Sequence, residues 1–259
     1  MRPAPRQGGD PPARAGVVIP AYNAAGTLPA VLERLPDLAL ERLWIVNDGS
    51  TDGTGLLARR LVEHADPRWR RAELIDSPRN RGYGAAMKRG LHAARAAGLA
   101  VTICVHADGQ YAPEELPAMI AGLTRRRLDI LQGSRLAAGW RGARGGGMPL
   151  YKLLCGQALT RLENRVLGLQ MTDYHSGYMA FSRRALATIR FEELSDSFDF
   201  DLEMIAAAVA LGLSVGERPI PTHYGDEVSH LDPLRYGLRV LWVMFKYLQG
   251  RYHRLSNPS

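Results

Sequence analysis

The chain has 259 residues, enough for one large α/β domain or two small ones. Hydrophobic residues make up 46% and charged residues 23%, which excludes an intrinsically disordered protein. The formal net charge of +7 suits an anionic partner, such as a phosphorylated small molecule or an anionic membrane surface. A nucleic-acid partner is not expected, because no basic helix with interleaved aromatic residues occurs.

The first 15 residues are rich in Pro, Arg and Gly and contain no apolar run, which predicts a disordered tail and no signal peptide. No run reaches the roughly 18 apolar residues that a membrane span needs. Cys104 and Cys155 lack the spacing of a metal site or of a disulfide framework. These features predict a cytoplasmic protein, with the inner face of the membrane as the alternative location.

From residue 16 onward, short β-like runs alternate with helical segments. This pattern predicts an α/β fold with a mainly parallel, Rossmann-like sheet and helices on both faces. The predicted strands are 16–20, 43–46, 73–75, 99–105 and 128–131, with two more near 178–181 and 213–220. The predicted helices are 27–35, 51–63, 83–97, 113–125, 149–167 and 200–211. Residues 16–232 are expected to form one domain, and the five glycines within 139–147 a mobile loop.

The C-terminal segment 233–259 is predicted to be an amphipathic helix over 233–254 followed by a tail. Its apolar face consists of Leu234, Leu238, Leu241, Phe245 and Leu248, beside a narrow basic stripe. Packing of this face on the domain, or on a second copy in a homodimer, is favoured over contact with a membrane surface.

Polar or glycine-rich clusters follow four consecutive predicted strands, at 20–23, 47–54, 80–84 and 106–110. Ligands bind at the carboxyl ends of the strands in an open parallel sheet, so we expect the clusters to meet at one edge. The polarity of loops explains any one cluster, but four in register are more typical of a ligand site.

Asp48 is a candidate nucleotide ligand, because a carboxylate at a strand end accepts hydrogen bonds from a ribose or a base. Ser50 and Asp52 are expected instead to cap the following helix. Residues 80–84 open a helix whose free N–H groups could face a phosphate. Met87 stands where a dinucleotide fingerprint has its third glycine, which disfavours an NAD-dependent oxidoreductase.

Asp108 and Gln110 alternate along the segment that leaves the fourth strand. Carboxylate and amide oxygens suit Mg²⁺ or Mn²⁺, which would keep water and diphosphate oxygens as further ligands. A turn centred on Asp108 and Gly109 is the structural alternative. Beside the other three clusters, metal binding is the favoured interpretation.

Four motifs occur in a fixed order: Val-Val-Ile-Pro-Ala-Tyr-Asn from residue 17, Val-Asn-Asp-Gly-Ser-Thr-Asp-Gly-Thr from 46, Asn-Arg-Gly-Tyr-Gly-Ala-Ala from 80 and Ala-Asp-Gly-Gln-Tyr from 107. Together they resemble family 2 glycosyltransferases of the dolichyl-phosphate mannose synthase type. The resemblance runs from about residue 16 to about residue 232. It implies a GT-A fold, a nucleoside-diphosphate-sugar donor (UDP or GDP), a divalent metal and inversion at the anomeric carbon.

The resemblance also implies roles for individual residues. The donor-binding candidates are Pro20, Tyr22, Asn23, Asp48, Gly82, Lys88, Ala107 and Asp108. His223 or His230 is expected to contribute as well, from the region that closes over the diphosphate in the family. Asp108 and Gln110 match the metal-binding acid and amide. His106 stands where the family commonly has Asp, so it is a third metal candidate, a partner for a phosphate oxygen or a buried structural histidine.

Acceptor-binding candidates lie in the second half of the chain. They are Arg135, Arg144, Lys152 and Ser176, of which the arginines can form bidentate contacts to phosphate. Segment 172–183 resembles the acceptor-side segment of the family. Met148 and Lys152 stand where relatives that use polyprenyl phosphate tend to carry Arg and Ser. The acceptor is therefore left open among a glycan, a small-molecule hydroxyl and a polyprenyl phosphate.

A hydroxyl acceptor would need a general base, for which Asp201, Glu203 and Asp173 are the candidates. Asp201 and Glu203 lie two residues apart, so on a helix they would not share a face and only one would reach the sugar. A phosphate acceptor, with a second pKa of about 6, would need no base. The predicted function is inverting, metal-dependent sugar transfer. The alternative is a non-catalytic nucleotide-binding protein in which His106 marks lost metal chemistry.

Overall fold

The computed structural model describes residues 14–64, 66–137, 150–221 and 233–257, with the backbone alone for 150–155, 233 and 234. Four predicted site residues lie outside the side chains so described: Arg144, Lys152, His223 and His230. Most of the predicted N-terminal tail and the glycine-rich loop 139–147 also lie outside the described residues.

A seven-stranded sheet organises the chain, in the order β3-β2-β1-β4-β6-β5-β7. The strands are β1 Ala15–Ala21, β2 Arg42–Asn47, β3 Ala72–Asp76, β4 Val101–Cys104, β5 Ile130–Ser134, β6 Met179–Ser182 and β7 Val215–Pro219. Neighbouring strands are parallel except at β6, which is antiparallel to both β4 and β5. The predicted α/β fold with a mainly parallel sheet is confirmed, including the two strands expected in the second half.

The helices in the described ranges are α1 Leu28–Glu33, α2 Thr54–Glu63, α3 Tyr83–Ala96, α4 Leu116–Arg125, α5 Leu150–Leu167, α6 Arg183–Thr188, α7 Phe200–Ala210 and α8 Pro233–Leu248. The prediction of one helix over 233–254 is wrong in its end point. Gly250 adopts a left-handed conformation (φ 71°), which glycine tolerates, and a 3₁₀ turn follows at Arg251–Arg254. None of these described helices combines the length and apolarity needed to span a membrane.

Two apolar cores lie on opposite faces of the sheet, because successive strand side chains point to opposite sides. On β1, Val18 packs with residues of α3, α6, α7 and α8, whereas Val17 and Ile19 pack with α1 and α4. Val240 and Val243 of α8 are fully buried in the first core. The C-terminal helix therefore packs on the domain through the side that carries Val240 and Val243. This side lies opposite to the apolar face that the sequence predicted to pack there.

The reversed direction of β6 positions the site. Ile103 of β4 pairs with Ala180, so the residues just before β6 lie beside those just after β4. Segment 176–178 thus reaches the same edge of the sheet as the carboxyl ends of the parallel strands. This edge is where the four predicted clusters meet.

Candidate functional site

The loops after β1 and β2 are tied together. The Asn23 N–H donates to Ser50 Oγ (3.0 Å), and Asn23 Oδ1 accepts from the Thr51 N–H (2.9 Å). The predicted capping role of Ser50 is wrong, since α2 begins later than expected, at Thr54. Asp52 does accept the N–H of Thr54, the first residue of α2, in agreement with the capping role predicted for it. Tyr22, also after β1, is 49% exposed.

Asp48 holds the turn that precedes α3. Its buried carboxylate accepts hydrogen bonds from the N–H groups of Arg81 (3.1 Å) and Gly82 (2.8 Å). Gly82 has a φ of 104°, and a Cβ there would lie 2.4 Å from the Asp196 carbonyl oxygen. In the structure, therefore, Asp48 joins the second and third clusters.

Lys88 is a donor-binding candidate whose ammonium group has protein partners. It donates to the Leu194 carbonyl oxygen and forms an ion pair with Asp196 (2.7 Å). Its side chain is only 12% exposed. This places Lys88 behind the loop 194–197, which forms one wall of an open cleft at the carboxyl edge. The cleft, of about 470 Å³, is lined by Asn80, Arg81, Gly82, Ser195, Asp196, Ser197 and Arg239.

The fourth cluster contacts residues from distant parts of the chain. The Tyr83 hydroxyl donates to Asp201 Oδ2 (2.8 Å) and lies 3.2 Å from His106 Nε2. His106 packs edge-on against Tyr111, with ring centroids 5.2 Å apart. A Cβ on Gly177 would lie 2.3 Å from His106 Nε2, so any side chain there would displace the imidazole. A half-buried histidine and a buried carboxylate are thus held together by one tyrosine.

Burial sets the protonation of this group. It raises the pKa of Asp201 to about 7, against a smaller lowering by the Tyr83 hydrogen bond. Burial also raises the pKa of Tyr83 well above its usual value and lowers that of His106. Near neutral pH, Tyr83 is therefore a hydrogen-bond donor, His106 is neutral and Asp201 is close to its titration point. Asp201 Oδ1 has no hydrogen-bond partner among the described residues.

Asp108 and Gln110 lie beside this group, both half-buried. Asp108 Oδ1 accepts the Gln110 N–H (3.0 Å), and Gly109 between them has a φ of 76°. The turn that was the structural alternative is therefore present, and it holds the carboxylate at the strand end. Ala107, predicted to contact the donor, is buried. In the described ranges no three His, Cys, Asp or Glu side chains form a metal cluster.

Arg135 and Asp173 bind each other. Arg135 Nε lies 2.8 Å from Asp173 Oδ2, and Arg135 also donates to the His175 carbonyl oxygen (3.1 Å). Burial acts to raise the pKa of Asp173, but the charge and hydrogen bonds of Arg135, together with a smaller contribution from His175, outweigh it, so the pKa is lowered. Ser176 is buried, and its carbonyl oxygen accepts from Gln132 Nε2 (2.7 Å). The structure thus pairs a predicted base with a predicted acceptor ligand.

Glu203 does not join the Tyr83–Asp201 group. Its carboxylate accepts hydrogen bonds from Lys246, from the Tyr252 hydroxyl (2.7 Å) and from the Ser195 N–H. It is 1% exposed and connects α7 to α8 and to the 3₁₀ turn. The structure therefore places this candidate base away from the Tyr83–Asp201 group. Asp201 alone of the two lies at the strand edge, as their spacing predicts.

A second buried polar pair lies behind Asp173. Glu163 Oε2 on α5 is 3.5 Å from His175 Nε2, and neither atom has a hydrogen-bond partner in the described part of the chain. This separation would suit an ion pair. Burial, however, raises the pKa of Glu163 to about 9 and lowers that of His175 to about 4. Near pH 7 the pair is therefore neutral.

Replacing Glu163 with glutamine is expected to stabilise the protein at alkaline pH. The folded state holds the Glu163 proton more tightly than the unfolded chain, so this group lowers stability as the pH rises from 4.5 towards 9. Glutamine does not titrate, and we expect a gain of several kcal/mol at pH 8, at most about 5, that disappears near pH 4. Chemical denaturation at several pH values measures it. A gain that is the same at every pH would contradict the assignment.

Tyr83 and Gly177 occur in the sequence motifs, but the sequence does not indicate that either residue belongs to the site. Tyr83 lies in the motif that starts at residue 80, and Gly177 lies in the segment 172–183. Their role depends on contacts with Asp201 and His106, which are far away in the sequence. No local pattern predicts such contacts.

Known proteins resemble the chain in sequence and fold. The profile of Glycosyl transferase family 2 matches residues 16–190. Polyprenol monophosphomannose synthase of Mycolicibacterium smegmatis is 32% identical over 216 residues, which cover 81% of this chain and 77% of the relative. UDP-N-acetylglucosamine–dolichyl-phosphate N-acetylglucosaminyltransferase of Methanococcus voltae is 27% identical over 244 residues, covering 91% and 96%.

Among solved structures, glucosyl-3-phosphoglycerate synthase from Mycobacterium tuberculosis, in complex with Mn²⁺, UDP-glucose and phosphoglyceric acid, superposes with a TM-score of 0.65. The match covers 92% of this chain and 80% of the other at 17% identity. Such a likeness identifies the fold as GT-A.

Proposed function

The chain belongs to glycosyl transferase family 2, and from this premise we propose that it transfers a sugar, with inversion, from a nucleoside-diphosphate sugar to a polyprenyl phosphate. One observation carries the proposal: Asp48, Asp108 and Asp201, with the segments that hold them, lie at the same edge of the sheet. The acceptor class is supported by the two sequence relatives. Their names specify different sugars but the same kind of lipid phosphate.

The donor nucleoside is proposed to bind at the ends of β1 and β2. Tyr22 is half exposed and offers an aromatic face to a base. Asn23 and Asp48 are held in place by their hydrogen bonds to the neighbouring loops, so little conformational entropy remains to be lost on binding. Asp48 keeps acceptor capacity beyond its two N–H partners, because a carboxylate offers about four lone-pair sites.

The donor set fits a divalent cation. Asp108 and Gln110 supply one carboxylate and one amide, and Mg²⁺ commonly takes one or two protein carboxylates while keeping water and phosphate oxygens. Such a metal neutralises charge on the leaving diphosphate when it is bound. His106 is turned towards Tyr83 by a hydrogen bond, so we assign it a positioning role. The Mn²⁺ in the complex of glucosyl-3-phosphoglycerate synthase is consistent with this proposal.

The acceptor assignment is tested with the full-length protein and a panel of UDP- and GDP-sugars in Mg²⁺ or Mn²⁺. A polyprenyl phosphate and the matching free polyprenol are compared as acceptors. We expect a glycosylated product, a polyprenyl-phosphate-linked sugar, only from the polyprenyl phosphate, because its phosphate is already ionised near neutral pH. Transfer to the free alcohol at an equal rate, or to neither lipid with any donor, would contradict the proposal.

A hydroxyl of a small phosphorylated molecule is the second candidate acceptor. It is favoured by Asp201, whose buried carboxylate titrates near pH 7 and has an oxygen without a partner among the described residues. A base of this kind gains activity as the pH rises through about 7, because only the deprotonated form accepts a proton.

Asp201→Asn separates the two candidates. Asparagine still accepts the Tyr83 hydrogen bond, so the geometry is retained while the basic carboxylate is lost. With a phosphate acceptor we expect the transfer rate to fall by less than about tenfold, whereas loss of a needed base costs about 10²- to 10⁴-fold. Rates with polyprenyl phosphate and with 3-phosphoglycerate measure the difference. A loss of a hundredfold or more would favour the hydroxyl acceptor.

A further inference from the structure

The outer face of α8 is an exposed apolar surface. Five of its side chains are between 47% and 70% exposed: Leu238, Leu241, Trp242, Phe245 and Leu248. Trp242 and Phe245 stack on each other, with ring centroids 5.4 Å apart. We call these five residues the α8 apolar face. Contiguous apolar surface of this kind marks an interaction site, whereas single exposed leucines do not.

The exposure is not the result of a loosely attached helix. The opposite side of α8 is anchored in the core by Val240, Val243 and Met244, all of them buried. Arg239 forms an ion pair with Asp199 (3.1 Å), and Lys246 forms one with Glu203. The helix is therefore fixed with its apolar face outward. The expectation that this face packs on the domain is wrong.

The charge at the border of the face identifies its partner. Residues 233–254 contain five Arg or Lys residues and no Asp or Glu. Arg239 and Lys246 are paired with acids of the domain, but Arg251 and Arg254 are exposed in the turn that follows α8. The Arg251 guanidinium lies over the Trp242 ring, 5.8 Å from its centroid. A cationic border directly touches the apolar face.

We propose that the α8 apolar face docks on an anionic lipid surface, with its apolar side chains in the boundary between headgroups and acyl chains and Arg251 and Arg254 at the phosphates. An exposed apolar helix face with basic residues at its border lies in the plane of such a surface. Tryptophan favours the same boundary. Self-association is a poorer fit, since two copies would bring like charges together with no acidic residue in the segment to pair with them.

The inference rests on the proposed function in one respect: sugar transfer to a lipid phosphate explains why the α8 apolar face lies next to the cleft. Arg239, on the same helix, lines the cleft at the strand ends. Its partner Asp199 follows Phe198, which stacks on Tyr83 and is 49% exposed. The cleft and the lipid-facing helix therefore share a wall. A lipid-linked acceptor phosphate could therefore reach the cleft while its lipid chain stays in the bilayer.

The test is flotation of the full chain with vesicles of phosphatidylcholine, with or without phosphatidylglycerol, at low and high salt. We expect binding to the anionic vesicles, weakened by salt. In Leu241→Glu/Leu248→Glu we expect the vesicle-bound fraction to fall about tenfold or more, because two large side chains no longer enter the lipid. Both positions are exposed, so the variant is expected to fold.

Leu56→Glu is the matched control, since Leu56 is 60% exposed and no other large apolar side chain of α2 is exposed. We expect it to bind like the unchanged protein. The docking proposal is overturned if the unchanged chain does not float with anionic vesicles at low salt, or if Leu56→Glu reduces binding as much as the double variant. It is also overturned if sedimentation reveals a dimer that only the double variant dissociates, since a second copy would then cover the face.

Trp242 provides a direct signal. Trp44 and Trp69 are buried, whereas Trp242 is half exposed. We expect its emission to shift to shorter wavelength on docking, and Trp242→Phe to abolish that shift. Vesicles without polyprenyl phosphate and buffer without donor sugar are used throughout. Failure of docking and failure of the proposed transfer reaction are therefore separate results.

Discussion

Replacing Asp108 with asparagine is expected to lower sugar transfer by about 100- to 1,000-fold and to leave the fold unchanged. Asparagine is nearly the same size and can still accept the Gln110 N–H, so the turn after β4 is retained. What it loses is the negative charge that, on our proposal, holds a divalent cation on the donor diphosphate. The expected loss corresponds to about 3–4 kcal/mol of transition-state stabilisation.

The measurement is the initial rate over a range of Mg²⁺ and Mn²⁺ concentrations, together with the thermal midpoint. We expect the variant to need more metal for half-maximal rate, because one ligand is weakened. Asp37→Asn is the matched control, as Asp37 is exposed in the loop before β2, at the opposite edge of the sheet. Full activity of Asp108→Asn in the presence of a chelator would contradict the assignment of this residue.

The parallel part of the sheet could be predicted from the sequence, because its signals are local. Strands buried on both faces are continuous apolar runs, and the residues after them must lie at one edge whatever the rest of the chain does. For this reason the loops that carry Asp48 and Asp108 were placed correctly. The start of α2 was misplaced because Ser50, a good capping residue, instead bonds Asn23 and Asn47.

The second half of the site could not be predicted in the same way. Tyr83 meets Asp201 across 118 positions of sequence, and Glu163 meets His175 only after α5 folds back on the loop before β6. Such contacts depend on tertiary packing and produce no periodic pattern in the amino-acid sequence. The amphipathic pattern of α8 was visible, but the helix is apolar nearly all round. Only the structure identifies Val240 and Val243 as the anchored side.

Glu203→Gln is expected to lower the free energy of unfolding by about 3 kcal/mol. The carboxylate is 1% exposed and pairs with Lys246, whose side chain is only 17% exposed. Removing one charge of a buried pair leaves the other uncompensated, which costs about 3–5 kcal/mol. We expect the lower end, because Lys246 retains some contact with water. Urea denaturation followed by circular dichroism measures the change.

Two variants isolate the cause. Adding Lys246→Met to Glu203→Gln should recover much of the lost stability, since no unpaired charge then remains. Glu193→Gln, which breaks the exposed pair with Arg190, should cost less than about 1 kcal/mol. Transfer per folded molecule should persist in Glu203→Gln, because this carboxylate joins α7 to α8 and does not contact the Tyr83–Asp201 group. If Glu203→Gln had normal stability but no transfer activity, Glu203 would instead be assigned as the general base of the reaction.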